Sequence, residues 1–280
     1  MTDTFDKQKS IASPLFNLSL MKGIDVLMAF GSGHPDMNLP EIAEATGLSK
    51  SAAQRFAFTL ESMGYLRKDP RTKRFSLTPK TVEFGYRYLL VNPLIERANP
   101  YLLELNKYSG ETVNMSEPDG ADLVFVARFA TNLYASVHMP VGRRLPMYCT
   151  ASGRAFLSVL PADKARAILE SAPRPKITPT TVTDIGELMA MLEEARETGY
   201  GYSSGEYYRG DFNIAVPVFD VHGRPIAAVN ISAPSVRWTL ERLKSELVLH
   251  LLETGRLIST TQPKPQDTEP FRRGYGTVVV

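Results

Sequence analysis

The sequence predicts an α+β chain in two domains. The first is helix-rich and ends in a basic β-hairpin; the second is larger and alternates strand-like runs with helices. Three observations predict it. Apolar residues recur at helical spacing through residues 15–90, then give way to strand-like apolar runs. The length of 280 residues suits about two domains of roughly 100–200 residues each. Charge is partitioned as well. The whole chain holds 32 Lys+Arg against 30 Asp+Glu, yet between 49 and 87 nine basic residues face only Glu61, Asp69 and Glu83.

In chain order, residues 1–14 are polar and read as a flexible arm. Leu20, Ile24, Leu27 and Met28 line one face of a helix over 15–30, ended by Gly31-Ser32-Gly33-His34-Pro35. Leu39, Ile42 and Ala43 face one side of a short helix closed by Gly47. Ser49 suits the N-cap of the next helix, where Ala53, Phe56 and Leu60 align before Gly64. Tyr65-Leu66 and Phe75–Leu77 read as a hairpin turned at Asp69-Pro70. Pro79 opens a helix to about Leu90, and Asn92-Pro93 breaks it, which makes 91–95 a hinge candidate.

The second half predicts a helix at 98–108 and strands at Glu111–Met115, Asp122–Arg128 and Tyr134–Met139, with an extended piece at Arg144–Tyr148. Helices follow near 152–160, 162–171 and 184–198. Strands at Asn213–Phe219 and Ile226–Ser232 form a hairpin across Asp220-Val221-His222-Gly223, and a last helix covers 238–258. The Pro/Gly-rich 261–280 read as a disordered tail.

Composition removes several classes of function. No apolar run reaches the ~18 residues a membrane span requires, and MTDTFDKQKS has no apolar signal region, so a cytoplasmic location is expected. Cys149 is the single cysteine, so no internal disulfide forms, and four scattered histidines give no metal site. No phosphate-cradling glycine loop or dinucleotide motif appears, so no cofactor is expected.

The spacing Ile42-Ala43-x3-Gly47-Leu48-x4-Ala53-x2-Phe56 is what two helices crossing in a helix-turn-helix require. It leaves the start of the second helix facing outward. There Gln54 and Arg55 can read bases, and Ser49, Lys50 and Ser51 suit phosphates. The hairpin behind it carries Arg67, Lys68, Arg71, Lys73 and Arg74, a basic wing able to track a DNA backbone. Charge alone fits a solvated face equally well; the helix-turn-helix followed directly by the wing favours DNA.

These motifs carry a resemblance. The segments SLMKGIDVLMAF, LPEIAEATGLSKSAAQRFAFTLESMGYLRKD and RFSLTPKTVEFG, then LPMYCTASGRAFLSVLP, ETGYGYSSGE and AVPVFDVHGRPIAAVNISAP, resemble IclR-type transcriptional regulators over residues 18–259. The resemblance implies a winged helix-turn-helix over 15–78, a linker helix and hinge over 79–95, and an effector-binding domain over 96–260. The latter would be a GAF-like α/β domain with a largely antiparallel sheet flanked by helices. It also implies a homodimer or tetramer on palindromic operator DNA, without membrane or enzymatic activity, acting as repressor or activator of a catabolic operon.

Thr150, Ala151, Ser152 and Gly153 precede a helix, where unpaired amides favour an anion; capping by Thr150 or Ser152 explains the same residues without a ligand. Asn213, Asn230 and Ser232 interrupt apolar runs and require polar partners. In IclR-type regulators the same stretches form the effector pocket. The resemblance therefore implies Tyr134, Val137 and Leu145 as its wall, Ala151 and Ser152 as carboxylate-binding backbone, and Ser203, Asn213, Asn230 and Ser232 as its polar end. Relatives that bind small keto acids carry an acid where this chain has Ser203, and Cys and Ser where it has Asn213 and Asn230. With Tyr134, Tyr148, Tyr202, Tyr207 and Phe212 nearby in sequence, an aromatic acid is the expected small carboxylate effector.

A metabolite sensor acting only through protein contacts is the main alternative. Gly201-Tyr202-Ser203-Ser204-Gly205 matches G-x-S-x-G, but a hydrolase nucleophile needs a strand, a sharp turn and then a helix, and Glu-Tyr-Tyr-Arg-Gly-Asp is not an amphipathic helix. Cys149 beside apolar residues reads as a buried side chain rather than a nucleophile.

Overall fold

A computed structural model describes residues 13–131 and 139–259. Of the predicted strand at Tyr134–Met139, residues 134–138, with Tyr134 and Val137, lie outside them, as do most of the arm and the tail. The chain divides into two compact units between Val91 and Asn92.

In the first unit, α1 (Leu18–Met28) starts at Asn17, whose side chain accepts the Leu20 amide. The helix-turn-helix is α2 (Leu39–Thr46) and α3 (Lys50–Ser62). Asn38 and Glu41 form a reciprocal capping box at the start of α2. Gly47 ends α2 at φ 66°, a left-handed conformation that glycine adopts without steric cost, and this turns the chain into α3. Val26, Ile42, Ala53, Ala57, Leu60, Leu66 and Phe75 close the core between helices and hairpin.

The wing strands β2 (Leu66–Lys68) and β3 (Phe75–Leu77) pair antiparallel. A two-residue strand β1 (Asp36–Met37), too short for periodicity to predict, adds to β3 and makes a three-stranded sheet. The turn Pro79–Thr81 leads into α4 (Val82–Val91), none of whose residues is buried.

In the second unit, α5 (Pro93–Ser109) begins earlier than the periodicity suggests. Asn92 caps it through the Leu94 amide, and Pro93 takes the first helical position, where its missing N–H costs nothing. The strands are β4 (Thr112–Asp119), β5 (Asp122–Phe129), β6 (Arg144–Pro146), β7 (Gly201–Ser204), β8 (Asp211–Phe219) and β9 (Pro225–Pro234). They form one antiparallel sheet in the order β6-β5-β4-β9-β8-β7. β7 falls on Gly201–Ser204, where the apolar pattern predicts no strand. The extended piece expected at Arg144–Tyr148 is strand only to Pro146, then a 3-10 turn over Met147–Cys149.

Helices α6 (Ala151–Ser158), α7 (Ala162–Glu170), α8 (Ile185–Thr198) and α9 (Leu240–Ile258) complete the unit. Strand alternation assigns the sheet faces. Ala215 packs with Ala151 and Ala155 of α6, whereas Val216 meets Gly255 of α9. Helices α5 and α9 therefore cover one face, and α6 covers part of the other, where Asp211 and Asn213 also point. Leu123, Met147, Phe156, Leu157, Leu188 and Leu192 form a second core beside α6.

Candidate functional site

Two surfaces bring the predicted site residues together. On the first unit, α3 turns Ala53, Ala57 and Leu60 inward, so Lys50, Ser51, Gln54 and Arg55 are exposed on its outer face. Ser49 caps the helix, its Oγ accepting the Ala52 amide at 3.3 Å and lying 3.1 Å from Ser51 Oγ.

The wing turn is held by Asp69, whose carboxylate accepts the Arg71 and Thr72 amides at 2.7 and 2.9 Å. Those bonds hold its pKa below the usual value. Arg67, Lys68, Arg71 and Lys73 are exposed around this turn. Arg74 is placed differently. Its guanidinium pairs with Asp36 and, at 2.7 Å, with Glu41, and donates to the Asp36 carbonyl at 2.9 Å. It ties the wing to β1 and to the start of α2. Truncating it to Ala is expected to loosen the wing, read as faster amide exchange at Phe75–Leu77.

On the second unit, a cavity open to solvent lies on the α6 side of the sheet. Leu145, Ala151, Ser152, Ser203, Asn213, Asn230 and Ser232 all line it. Of the predicted aromatics, Tyr207 lines it as well. Tyr148 instead donates to the Pro175 carbonyl at 2.6 Å, Tyr202 donates to Glu194 at 3.3 Å, and Phe212 alternates to the far face of β8. Ser203 pairs with Asn213 in the β7–β8 hairpin and no helix follows it, so the nucleophile geometry of a hydrolase is absent there.

Thr150 caps α6: its Oγ1 accepts the Gly153 amide at 3.2 Å. The amides of Ala151 and Ser152 are then first-turn donors that the helix cannot satisfy. Gly153 sets this position. A Cβ there would lie 2.1 Å from the Met147 carbonyl oxygen, so the helix start is pressed onto the preceding turn. Gly153→Ala is expected to cost about 1–3 kcal/mol or more, read as a lower denaturation midpoint of the second unit.

The polar floor is a directed relay across four strands. Arg128 donates to Asn114 Oδ1 at 2.9 Å, and Asn114 to Asn230 Oδ1 at 3.3 Å. Asn230 then donates to Asn213 Oδ1 at 3.0 Å, and Asn213 to Asp211 Oδ2 at 2.8 Å. A cation at one end and a carboxylate at the other dictate the direction of all three amides. Ser232 also donates to Asp211, at 2.9 and 3.1 Å to its two oxygens.

Burial pushes the Asp211 carboxyl up to about 6, against the pull of Asn213, Ser232 and Arg128 and with a push from Glu111. The folded state therefore binds this proton more tightly than the unfolded state, and stability falls as pH rises from about 4 through about 6. The loss is about 3 kcal/mol for a shift of this size, and Asp211→Asn is expected to remove it in denaturant melts at pH 4.5 and 7.5.

Beside the cavity, Arg154 and Glu206 form a buried bidentate pair, both contacts 2.6 Å. Arg154 also donates to the Tyr202 and Tyr148 carbonyls, and Glu206 accepts the Val182 amide. The sequence reading missed Asn114, Glu206 and Asp211 as cavity residues and Arg128 behind them. The signal for Asn114 was the one that flagged Asn230, an amide inside an apolar strand.

Comparison with known proteins adds a third line. Residues 19–70 match the IclR helix-turn-helix domain, and residues 86–260 match the bacterial transcriptional regulator IclR C-terminal domain. The chain belongs to the IclR family of transcriptional regulators. It is similar to the Pca regulon regulatory protein of Pseudomonas putida, 33% identical over 250 residues, covering 89% of this chain and 85% of that protein. The p-hydroxybenzoate hydroxylase transcriptional activator of Acinetobacter baylyi is 34% identical over 223 residues, covering 78% and 82%. The solved IclR family regulator of Brucella abortus aligns with a TM-score of 0.77 at 26% identity, covering 94% of this chain and 98% of that one. IclR regulators bind operator DNA and small-molecule effectors, and they are transcriptional regulators rather than enzymes.

Proposed function

We propose that this IclR-family chain reads a palindromic operator of a catabolic operon and responds to a small aromatic carboxylic acid. The observation that carries the DNA half is the shared outward placement of Gln54 and Arg55 on α3 and of the basic wing behind it. In this reading α3 enters the major groove, where Arg55 meets guanine and Gln54 adenine. Ser49, Lys50 and Ser51 hold phosphates. Arg67, Lys68, Arg71 and Lys73 follow the backbone, while Arg74 acts by fixing the wing.

The effector half rests on the cavity. Leu145, Phe125, Met139 and Tyr207 supply an apolar and aromatic wall. The α6 amides of Ala151 and Ser152 receive the carboxylate. Ser203, Asn213, Asn230 and Ser232 form the polar end. The relative whose name concerns p-hydroxybenzoate hydroxylase supports an aromatic acid.

We further assign the assembly to a homodimer that can pair into a tetramer. Leu20, Ile24 and Met28 on α1, and Val82, Tyr86, Leu90 and Val91 on α4, are exposed apolar side chains that a second copy would cover. In sedimentation velocity, Ile24→Glu combined with Leu90→Glu is expected to shift the chain toward monomer. A reader of operator DNA works in the cytoplasm, and among the described residues no helix is long and apolar enough to cross a membrane.

The DNA reading is tested on the chain's own upstream region by fluorescence anisotropy. Arg55→Ala is expected to change the preferred sequence, and Lys73→Ala to weaken all sequences alike. If neither variant alters binding, the interface is elsewhere.

A further inference from the structure

The cavity has two electrically different ends: the amides at the start of α6, and a polar end that also holds the carboxylate of Asp211. Asp211 begins β8, is 5% exposed, and lines the cavity. Ala215, packed against Ala151 at the start of α6, lies four residues further along the same strand. At roughly 3.3 Å per residue that separation is about 13 Å, so the donor amides and the carboxylate sit toward opposite ends.

Asp211 is a costly residue for the fold. Its two oxygens take Ser232 and Asn213, yet a carboxylate offers about four acceptor sites, so acceptor capacity remains. Its raised pKa, near 6, states the same thing energetically: the neighbours do not compensate for burial of the charge. The charged groups that act on it are Arg128 of β5, which favours ionisation, and Glu111 ahead of β4, which opposes it. Glu206, the other acid lining the cavity, is engaged by Arg154. A carboxylate kept ionised at a cost, facing a cavity, fits a group that receives a donor from a ligand.

We infer that Asp211 selects the effector: the cavity takes a small carboxylic acid that also carries a hydrogen-bond donor, such as a hydroxyl, at its far end. This deepens the aromatic-acid reading and rests on it. The acid's carboxylate meets the Ala151 and Ser152 amides, and its hydroxyl donates to Asp211. A second carboxylate at that end is rejected by like charge, so the site discriminates against diacids as well as against acids with no donor.

The test is calorimetric titration of the full chain with benzoate, 4-hydroxybenzoate and terephthalate at pH 7.5. The wild type is expected to bind 4-hydroxybenzoate about 10- to 100-fold more tightly than benzoate, the size of one hydrogen bond to a charged group, and terephthalate least. In Asp211→Asn the advantage of the hydroxyl should shrink to within about 3-fold while benzoate binding is retained, since the charge that strengthens the bond is gone. The same variant should melt at an equal or higher temperature without ligand, because the buried charge is removed. A residue kept only for its bonds to Ser232 and Asn213 would instead lower it. A second measurement needs no variant: the preference for 4-hydroxybenzoate should diminish in wild type as pH drops from 7.5 to 5, where both acids keep their carboxylates ionised.

Equal binding of benzoate and 4-hydroxybenzoate by wild type overturns the role of Asp211 and leaves the aromatic-acid pocket standing. Undiminished discrimination in Asp211→Asn, or a preference that does not change with pH, overturns it too. If none of the three acids binds, the aromatic-acid reading fails and this inference fails with it.

Discussion

Glu206→Gln is expected to destabilise the C-terminal domain by about 3–5 kcal/mol, because it leaves the Arg154 guanidinium buried without a counter-charge. Arg154 is 1% exposed and sits inside the elements that shape the cavity; its other two Nη protons are donated to the Tyr202 and Tyr148 carbonyls, and its buried Nε–H has no partner. Neutralising Glu206 keeps the shape but removes the charge that makes both 2.6 Å bonds strong. Trp238, the single tryptophan of the chain, donates to Glu111 in the same domain and reports unfolding by its fluorescence. Denaturant melts should show the loss as a shifted midpoint with little change in slope. Replacing the pair together, Arg154→Met with Glu206→Leu, should recover most of it, since no unpaired charge remains. A Glu206→Gln loss below about 1 kcal/mol would mean that water reaches the pair and that it does not set the cavity.

DNA affinity is expected to fall about 10³- to 10⁵-fold between 50 and 200 mM salt, the range for six to ten phosphate contacts. Each protomer presents Lys50, Arg55, Arg67, Lys68, Arg71 and Lys73 on exposed positions of α3 and the wing. In the proposed dimer on a palindrome that set would double, so the range would be reached even if only half of these side chains met phosphates. Lys73→Ala should reduce the slope of log affinity against log salt by about one unit per site removed. Arg74→Ala should act through a loosened wing, because its charge is already neutralised by Asp36 and Glu41.

The helix-turn-helix was legible because local rules decide it. Gly47, the Ser49 cap and the inward spacing of Ala53 and Leu60 each specify the same turn, and the structure has it. The β8–β9 hairpin was legible for the same reason, since Asp220–Gly223 encodes its turn. What stayed hidden depends on distant pairing. Arg74 read as one more wing cation, because Asp36 and Glu41 lie more than thirty residues away. Two-residue β1 has no periodicity to detect.

The candidate pocket divides along the same line. Asn213, Asn230 and Ser232 stood out as polar residues in apolar strands. Asp211 follows Gly210 and resembled loop, although it starts β8 and ends the relay that Asn213 of the same strand and Arg128, Asn114 and Asn230 of three other strands complete. Tyr148 and Tyr202 looked like pocket aromatics by proximity in sequence, whereas their hydroxyls are used for structural hydrogen bonds.

The central claim is that occupation of the cavity changes DNA binding. An acid that binds two arrangements of the protein with different affinity shifts operator affinity, and by linkage the operator shifts the acid's affinity by the same factor. The direct measurement is anisotropy of the chain's upstream DNA titrated with wild type and with Ser152→Trp, each with and without saturating 4-hydroxybenzoate. The account predicts at least about a 5-fold change in Kd for wild type. It predicts none for Ser152→Trp, whose ligand-free DNA affinity remains that of wild type. An unchanged Kd in wild type, or a ligand response that persists in Ser152→Trp, would contradict it.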